Sequence, residues 1–370
     1  MKRQLTAIAV ASAFCGVTYA DDKVTLLGVD VTVYGIATTG VMSASRSGPT
    51  GTAGSVTAYS DSQLNPSVFG FKGTTDLDNG LKAGFELEGG ISTNDGAVGN
   101  EGDGGIFGRK ANAFLGGNWG TFTAGLQLDP AWIAMWSTDA RGSTDSFSGS
   151  PLWIFTTAAN TDSMQAGLFD TKSLSYRYEG HGLTASALYG VGGVSGHTSA
   201  NSQQSVGATY KNDGFTVSAG FVQGRSRAVS GPTAGISSQI DFAGVGYTVG
   251  PFALRAQYNE LKSHYQFGQA ANDLRNLNVG LDYVTGPNTV NLSFYHVKDA
   301  GAAFGGKTLE AALLDKYAVS KRVTVFAQLV NVKADVNAGG SAEIANYYTP
   351  SGGPVGATAT YVGAGMEYAF

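Results

Sequence analysis

The chain has almost no cysteine, little proline and little charge, and each shortage excludes a class of protein. Among 370 residues there are one cysteine and nine prolines, and charged residues make up only 14%. The single Cys15 lies in an N-terminal segment with the form of a secretory signal, so the rest of the chain can form neither a disulfide nor a thiolate metal site. Disordered chains are highly charged and poor in aromatic residues, whereas aromatic residues reach 11% here. The sequence therefore excludes a disulfide scaffold, a zinc module with thiolate ligands and a disordered chain.

Long hydrophobic runs are missing as well. Beyond the N-terminal segment, no stretch approaches the roughly 18 apolar residues that a membrane-spanning helix needs. The formal net charge of −5 makes the chain mildly acidic, which argues against nucleic acid as a partner. A membrane protein can be this hydrophilic if it is a β-barrel, because every second residue of a barrel strand faces water.

The first twenty residues are predicted to be a signal peptide that directs export. Two basic residues at positions 2 and 3 precede a short apolar run over 5–17, and a small-x-small cleavage site follows at 18–20. We therefore divide the chain into a signal peptide, 1–20, and a single barrel domain, 21–370.

Apolar and polar residues alternate in many segments of about ten residues. Over 358–370, one face carries Val362, Met366 and the terminal aromatic Phe370, and the other carries small or polar residues such as Glu367. A period of two with an apolar outer face is typical of a transmembrane β-strand. Similar alternation occurs at 81–88, 215–221, 252–259 and 276–283. A soluble β-sandwich would alternate too, but it would not combine long strands, aromatic strand ends and a secretion signal.

Short and long breaks alternate between these segments. The short breaks are rich in Asn, Asp and Gly, which tight hairpins require. They lie near 76–80, 116–118, 179–182, 212–214, 250–251, 286–288 and 320–321. The long breaks lie near 43–66, 92–104, 129–170, 193–203, 225–237, 263–274, 298–308 and 335–356. The sequence therefore predicts an all-β fold, a transmembrane antiparallel β-barrel of about sixteen strands, which is wide enough to hold an aqueous channel.

Several segments resemble the general porins of Gram-negative bacteria, and particularly those of β-proteobacteria. They are 31–35, 69–77, 80–88, 106–122, 320–323 and the Phe370 end. The resemblance implies a sixteen-stranded homotrimer in outer-membrane lipid, with a long third loop folded into the pore. It also implies that the barrel-assembly machinery recognises the Phe370 end. The implied function is general diffusion of ions and small hydrophilic solutes.

The resemblance also implies a constriction, in which acids of the third loop face bases on the opposite wall and sort solutes by charge. The third loop runs over 128–170, far longer than an ordinary connection. The candidate constriction residues are Arg109, Lys72, Asp129, Asp139, Asp145 and Arg141. Val68 and Phe169 stand where the family usually has arginine, so we expect a weak anion preference or a cation preference. Any one of the acids could equally be a solvated loop residue.

The tryptophans of the third loop, Trp132, Trp136 and Trp153, fit two interpretations. They either pack the loop against the barrel or form an aromatic path for one nutrient. The second interpretation would make the protein a substrate-specific channel for an organic acid or an aromatic compound.

Catalysis is not indicated by the sequence. The four histidines, His181, His197, His264 and His296, fall in a predicted turn, two loops and a strand end, and no nucleophile motif accompanies them. The second loop, 92–104, is acidic but lacks the ligand number of a calcium loop. We therefore expect no enzyme, no cofactor and no metal site.

Overall fold

The computed structural model describes residues 23–26, 28–46, 54–99, 105–142, 147, 168–230, 235–264, 273–300, 305–336 and 356–370. Over these ranges the strands are β1 (Lys23–Leu26), β2 (Val29–Ala44), β3 (Val56–Asp61), β4 (Val68–Asp76), β5 (Lys82–Gly90), β6 (Lys110–Gly117), β7 (Gly120–Leu128), β8 (Phe169–Gly180), β9 (Leu183–Gly190), β10 (Gln203–Asn212), β11 (Phe215–Arg225), β12 (Ser237–Val249), β13 (Phe252–His264), β14 (Asp273–Thr285), β15 (Asn288–Asp299), β16 (Lys307–Ala318), β17 (Val323–Ala334) and β18 (Thr358–Ala369). One α-helix, α1 (Pro130–Trp136), follows β7, and a 3₁₀ turn (Asp78–Gly80) joins β4 to β5. The predicted signal peptide lies outside the described residues.

All of these strands belong to one antiparallel sheet that closes on itself. Each strand from β4 to β17 pairs with the next along the chain, and β18 returns to pair with β2, where Ala369 lies opposite Ile36. β3 and β4 both pair with one edge of β2. The other edge of β2 pairs with β1 over 29–32 and with β18 over 36–44. The strands therefore fill sixteen positions, and the predicted sixteen-stranded antiparallel barrel is confirmed.

The predicted turns also match the structure, because all seven short breaks connect neighbouring strands as hairpins. At the turn between β10 and β11, Asp213 and Gly214 have φ values of 45° and 84°. Two successive residues with positive φ are what a tight type I′ hairpin needs, and Asp and Gly tolerate that conformation best.

The first predicted loop, 43–66, differs from the structure. It contains the short strand β3, and residues 62–67 then run along the inside of the barrel before β4 begins. β3 has six residues, fewer than the roughly nine that cross a bilayer, so its sequence pattern is too short to be distinguished from a loop.

The outward side chains form an apolar band with an aromatic edge. Val245, Leu254 and Val279 are about half exposed in the middle of their strands. Near the short turns, outward rings pair across strands, with Phe215 against Tyr247 at a centroid distance of 4.4 Å. This arrangement suits a lipid surface whose boundary is marked by aromatic side chains. Within the described ranges, no helix is long and apolar enough to cross a bilayer.

The lipid-facing assignment predicts that stability depends on depth along a strand. Val279→Arg, at the centre of β14, should reduce the free energy of unfolding by about 2–4 kcal/mol, because a cation at mid-bilayer is costly. Val249→Arg, at the end of β12, is the matched control and should cost less than about 1 kcal/mol. The measurement is urea unfolding of the protein folded into lipid vesicles. Equal losses for the two variants would contradict the assignment.

Candidate pore constriction

The third loop enters the barrel through a capped helix. Asp129 precedes Pro130, and its carboxylate accepts hydrogen bonds from the backbone N–H groups of Ala131 (2.7 Å) and Trp132 (3.0 Å). This is the usual chemistry of a helix start, with an acidic N-cap and a proline in the first turn. The Ser205 hydroxyl of β10 donates a further bond of 2.8 Å to the same carboxylate. Asp129 therefore ties the start of the loop to the inner wall.

Asp129 is fully buried by these contacts. Burial raises its pKa to about 6, although the N–H of Trp132 and the hydroxyl of Ser205 both favour the ionised form. The carboxyl group is therefore an anchor of the loop and does not face open water.

The helix packs its aromatic side chains into the wall. Trp132 and Trp136 meet edge to face at a centroid distance of 5.3 Å, and both are almost completely buried. The cluster around them consists of Ala131, Ala134, Met135, Val222, Ile240, Phe242, Leu261 and Leu274. These two tryptophans accordingly pack the loop against β11–β14, and Trp153 lies outside the described residues.

Polar side chains of the wall hold the chain that follows the helix. Among them, Thr138 and Ser218 share a hydrogen bond of 2.6 Å, and Gln257 donates to the Met135 carbonyl at 2.7 Å. Further along, the Asn278 and Asn291 amides bind the N–H and C=O of Ala140, both at 3.0 Å. Residues 137–141 thus lie on the inner faces of β11–β15.

Three inward glycines allow this close approach. A Cβ atom at Gly207 in β10 would meet the Pro130 carbonyl, one at Gly244 in β12 would meet the Thr138 side chain, and one at Gly280 in β14 would meet the Ala140 carbonyl. These positions are not among the residues predicted from the sequence. A sequence signal for them exists, because the three glycines occupy inward positions of the alternate strands β10, β12 and β14.

Asp139 and Arg141 lie together at the far end of this segment. The Tyr295 hydroxyl donates to the Asp139 carboxylate at 3.1 Å, and the Arg141 N–H donates to the same carboxylate at 3.0 Å. The Arg141 guanidinium donates to the Gln328 side chain at 2.9 Å and is 1% exposed. Both candidate residues are therefore buried, and their side chains contact Tyr295 of β15 and Gln328 of β17.

A second inward segment, residues 62–67, continues the line of the third loop. The Gln328 amide donates to Gln63 at 3.0 Å, and Asn65 donates to Glu367 of β18 at 2.7 Å. Leu64 packs against Leu314 and Phe326. The sequence pattern predicts only a long loop over 43–66 and does not show that its last residues lie inside the barrel. Together, residues 129–142 and 62–67 form an inner belt that follows the wall from β10 to β18.

The wall opposite this inner belt carries paired charges on β4–β6. Glu88 of β5 receives hydrogen bonds from Arg109 (2.9 Å) and from the Tyr34 hydroxyl (3.0 Å), and Lys110 lies 3.3 Å away. The Arg109 guanidinium also lies over the Phe169 ring, 4.8 Å from its centroid. Arg109 is 3% exposed. The structure therefore places this candidate in a buried ion-pair network with Glu88. Arg109 precedes β6, and Lys110 is the first residue of that strand to point inward.

Lys72 is the candidate base with most access to the lumen. It shares the inward face of β4 with Gly70, stands opposite Glu86 in the register, and is exposed. Its ammonium has no hydrogen bond or ion pair among the residues that the structure describes. Asp145 lies outside those residues. Three His, Cys, Asp or Glu side chains do not converge as a metal site anywhere in the described ranges.

Comparison with known proteins gives consistent results over most of the chain. Residues 6–337 match the Gram-negative porin family. Outer membrane porin protein 32 of Delftia acidovorans is 36% identical over 144 residues, which cover 39% of this chain and 37% of that relative. An anion-selective porin from Comamonas acidovorans superposes with a TM-score of 0.77 at 23% identity, over 92% of this chain and all of the other. The trimer form of OmpT from Vibrio cholerae gives 0.69 at 16% identity, over 93% of this chain and all of the other.

The glycine contacts predict a specific response of the third loop. Gly207→Ala should push Pro130 and α1 off the wall, shift tryptophan emission to longer wavelength and cost about 2 kcal/mol of stability, as overpacking does. Gly246→Ala is the control, because the nearest atom to its new Cβ is the Leu254 carbonyl oxygen at 3.4 Å. Fluorescence during urea unfolding measures both effects. An unshifted spectrum for Gly207→Ala would contradict the described contact.

The buried ion pair makes a second prediction. Arg109→Ala should reduce the free energy of unfolding by about 3 kcal/mol, because it leaves the Glu88 carboxylate buried with Lys110 as its remaining cation. Adding Glu88→Gln to the same chain should restore part of the loss. Lys72→Ala removes an exposed charge and should change stability by less than about 0.5 kcal/mol. Similar losses for Arg109→Ala and Lys72→Ala in unfolding titrations would show that the pair is not structural.

Proposed function

The chain belongs to the Gram-negative porin family and is an outer-membrane β-barrel, and on this premise we propose that it is a general diffusion channel. Ions and small hydrophilic solutes would pass passively through a water-filled lumen in each subunit. The observation that carries the proposal is the inner belt, residues 129–142 and 62–67. In the described part of the chain it follows the wall from β10 to β18, opposite the charged face of β4–β6. A lumen narrowed from one side, with charges on the other, filters by size and charge.

We propose a modest cation preference for this lumen. Most inward bases in the described ranges are neutralised by a carboxylate in direct contact, which removes the unpaired positive charge that would attract anions. These bases are Lys82 (with Asp76), Arg109 and Lys110 (with Glu88), Arg177 (with Glu179) and Arg255 (with Asp282). Lys72 faces the lumen without such a partner and is proposed to be the main attraction for anions. Asp145, in the part of the third loop outside the described residues, is proposed to add negative charge.

The alternative of a channel for one organic acid or aromatic nutrient is less well supported. That interpretation relied on the third-loop tryptophans, and Trp132 and Trp136 are buried against the wall. A passing solute would not reach their rings, so these two residues do not favour a specific aromatic path.

We propose that the protein acts without catalysis. In the described part of the chain, His181 lies in a turn at one end of the barrel, His197 lies in a loop at the other end, and His296 is on the outer face of β15. A nucleophile and its base must be within hydrogen-bonding reach of one another, and none of these three histidine side chains hydrogen-bonds a nucleophile in the described part of the chain.

A homotrimer is proposed from the outer surface of β2, β4 and β5. Phe69, Phe71 and Phe107 form an aromatic cluster there with centroid distances of 6.1 to 6.4 Å. Beside it, the Phe85 ring lies over Gly73 and the Phe370 ring over Gly35, which gives a flat apolar face suited to a second copy. The trimer form of the OmpT relative supports the same assembly. The remaining outer surface would contact lipid.

Ion selectivity in planar bilayers tests the proposed function. Under a KCl gradient we expect channels whose reversal potential shows a modest preference for K⁺. Lys72→Ala should increase that preference, because it removes an exposed lumen-facing base that has no ion-pair partner among the described residues. Lys298→Ala removes the same charge from the outer face of β15 and is the matched control. Absence of conductance from folded protein would refute the diffusion channel, and equal shifts in the two variants would refute the role of Lys72.

A further inference from the structure

A small pocket lies on the inner wall beside the turn that joins β14 to β15. Its volume is about 200 Å³, and its lining includes Leu64, Pro287, Thr289, Lys316, Thr324 and Glu367. Leu64 comes from the inner belt, so the pocket lies where the belt meets β15–β18. A single water needs only about 10–15 Å³ of such space, so the pocket is large enough for a small solute.

One end of the pocket is cationic. Lys316 shares the inward face of β16 with Leu314, and Thr289 of β15 stands directly opposite it in the register. Among the described residues, Lys316 makes neither a hydrogen bond nor an ion pair. An ammonium in a concave apolar and hydroxyl-lined site is unfavourable without an anionic partner. The Thr289 hydroxyl can donate to the same partner.

The other end of the pocket is a fixed carboxylate. Asn65 (2.7 Å) and Thr38 (3.1 Å) both donate to Oε2 of Glu367, which orients the group. Oε1 has no hydrogen bond within the described part of the chain. In the register, Lys316 of β16 lies opposite Phe326 and Glu367 of β18 lies opposite Thr324, so one strand and a two-residue offset separate the two backbones. The two charges line one pocket without contacting each other.

From this arrangement we propose that the pocket is a subsite for a zwitterionic solute, namely an α-amino acid with a short side chain. The carboxylate of the solute would bind the Lys316 ammonium and the Thr289 hydroxyl. Its ammonium group would bind Oε1 of Glu367. Leu64 and Pro287 provide apolar surface for the side chain. The inference rests on the proposed function, because the solute reaches the pocket from an open lumen.

The charges at both ends distinguish this subsite from a simple anion site or cation site. An anion such as propionate would gain the contact with Lys316 but would bring its methyl group towards Glu367. A monocation such as ethylamine would gain the contact with Glu367 but would meet the charge of Lys316. A molecule with both groups satisfies both ends, so we expect it to bind more tightly than either.

Saturation-transfer NMR of the folded protein in detergent micelles measures this binding directly. The probes are L-alanine, propionate and ethylamine, titrated separately. We expect a saturable signal for L-alanine, with propionate and ethylamine each weaker by roughly tenfold, the usual effect of losing one charged hydrogen bond. A non-saturable L-alanine signal would mean that the pocket holds water only, and equal signals for propionate and L-alanine would mean an anion site. Either result would overturn the proposal.

Variants assign the signal to the pocket. Lys316→Met should weaken L-alanine binding roughly tenfold, and Lys316→Arg should restore most of it. Lys298→Met removes the same charge from the outer face of β15 and should leave L-alanine binding unchanged. If Lys316→Met and Lys298→Met weaken binding equally, the site is not this pocket.

Glu367→Gln tests the other end of the pocket, but it also alters the hydrogen bond that Asn65 donates to Glu367. It is used after the heat-resistant folded form has been verified by electrophoresis, and it should weaken L-alanine binding more than propionate binding. Binding does not require conductance. A closed channel that still binds L-alanine would therefore refute the diffusion channel and support the subsite. A conducting channel that does not bind L-alanine would refute the subsite and support the diffusion channel.

Discussion

Closure of the sheet is the constraint on which the rest of this structure depends. In a bilayer, an unpaired strand edge would leave backbone N–H and C=O groups without hydrogen-bond partners, so a membrane-crossing sheet must join its last strand to its first. Here β18 pairs with β2, and the N–H and C=O of Phe370 both bond to Gly35 at 3.0 Å. Closure gives every strand an inside and an outside. The alternation of the sequence then determines which side chains meet lipid and which line the lumen.

The interior is not an open cylinder, because polar side chains on its wall bind the backbone of the third loop. Gln257, Asn278 and Asn291 each make hydrogen bonds to backbone groups of residues 135–140. A loop lying on a wall must satisfy its own N–H and C=O groups, and inward amide side chains supply the partners. The glycines beneath the loop bring the two backbones close enough for these bonds. The inner belt is therefore a consequence of the wall residues as much as of the loop sequence.

The sequence was sufficient to predict the barrel but not the arrangement of the constriction, and the reason is physical. Strand positions follow from a local period of two, and hairpins such as Asp213–Gly214 follow from local turn chemistry, so both can be deduced from neighbouring residues. The pairing of Arg109 with Glu88 depends on the register between β5 and the segment before β6. The inward course of residues 62–67 depends on contacts with β17 and β18, more than two hundred residues away. Local patterns do not contain such contacts.

The ion pairs on the wall, together with the burial of Asp129, Asp139 and Arg141, change how the charge of the lumen should be understood. A charge paired with an opposite charge, as Arg109 is with Glu88, has little long-range field, since its partner cancels it within a few ångströms. On the proposed function, a passing ion responds mainly to charges without such a partner, and in the described part of the chain these include Lys72 on one wall and Lys316 and Glu367 on the other. Two porins with the same number of arginines can therefore differ in selectivity if their register pairs those arginines differently. In this barrel, strand register therefore decides which charges are paired, and composition alone does not give that pairing.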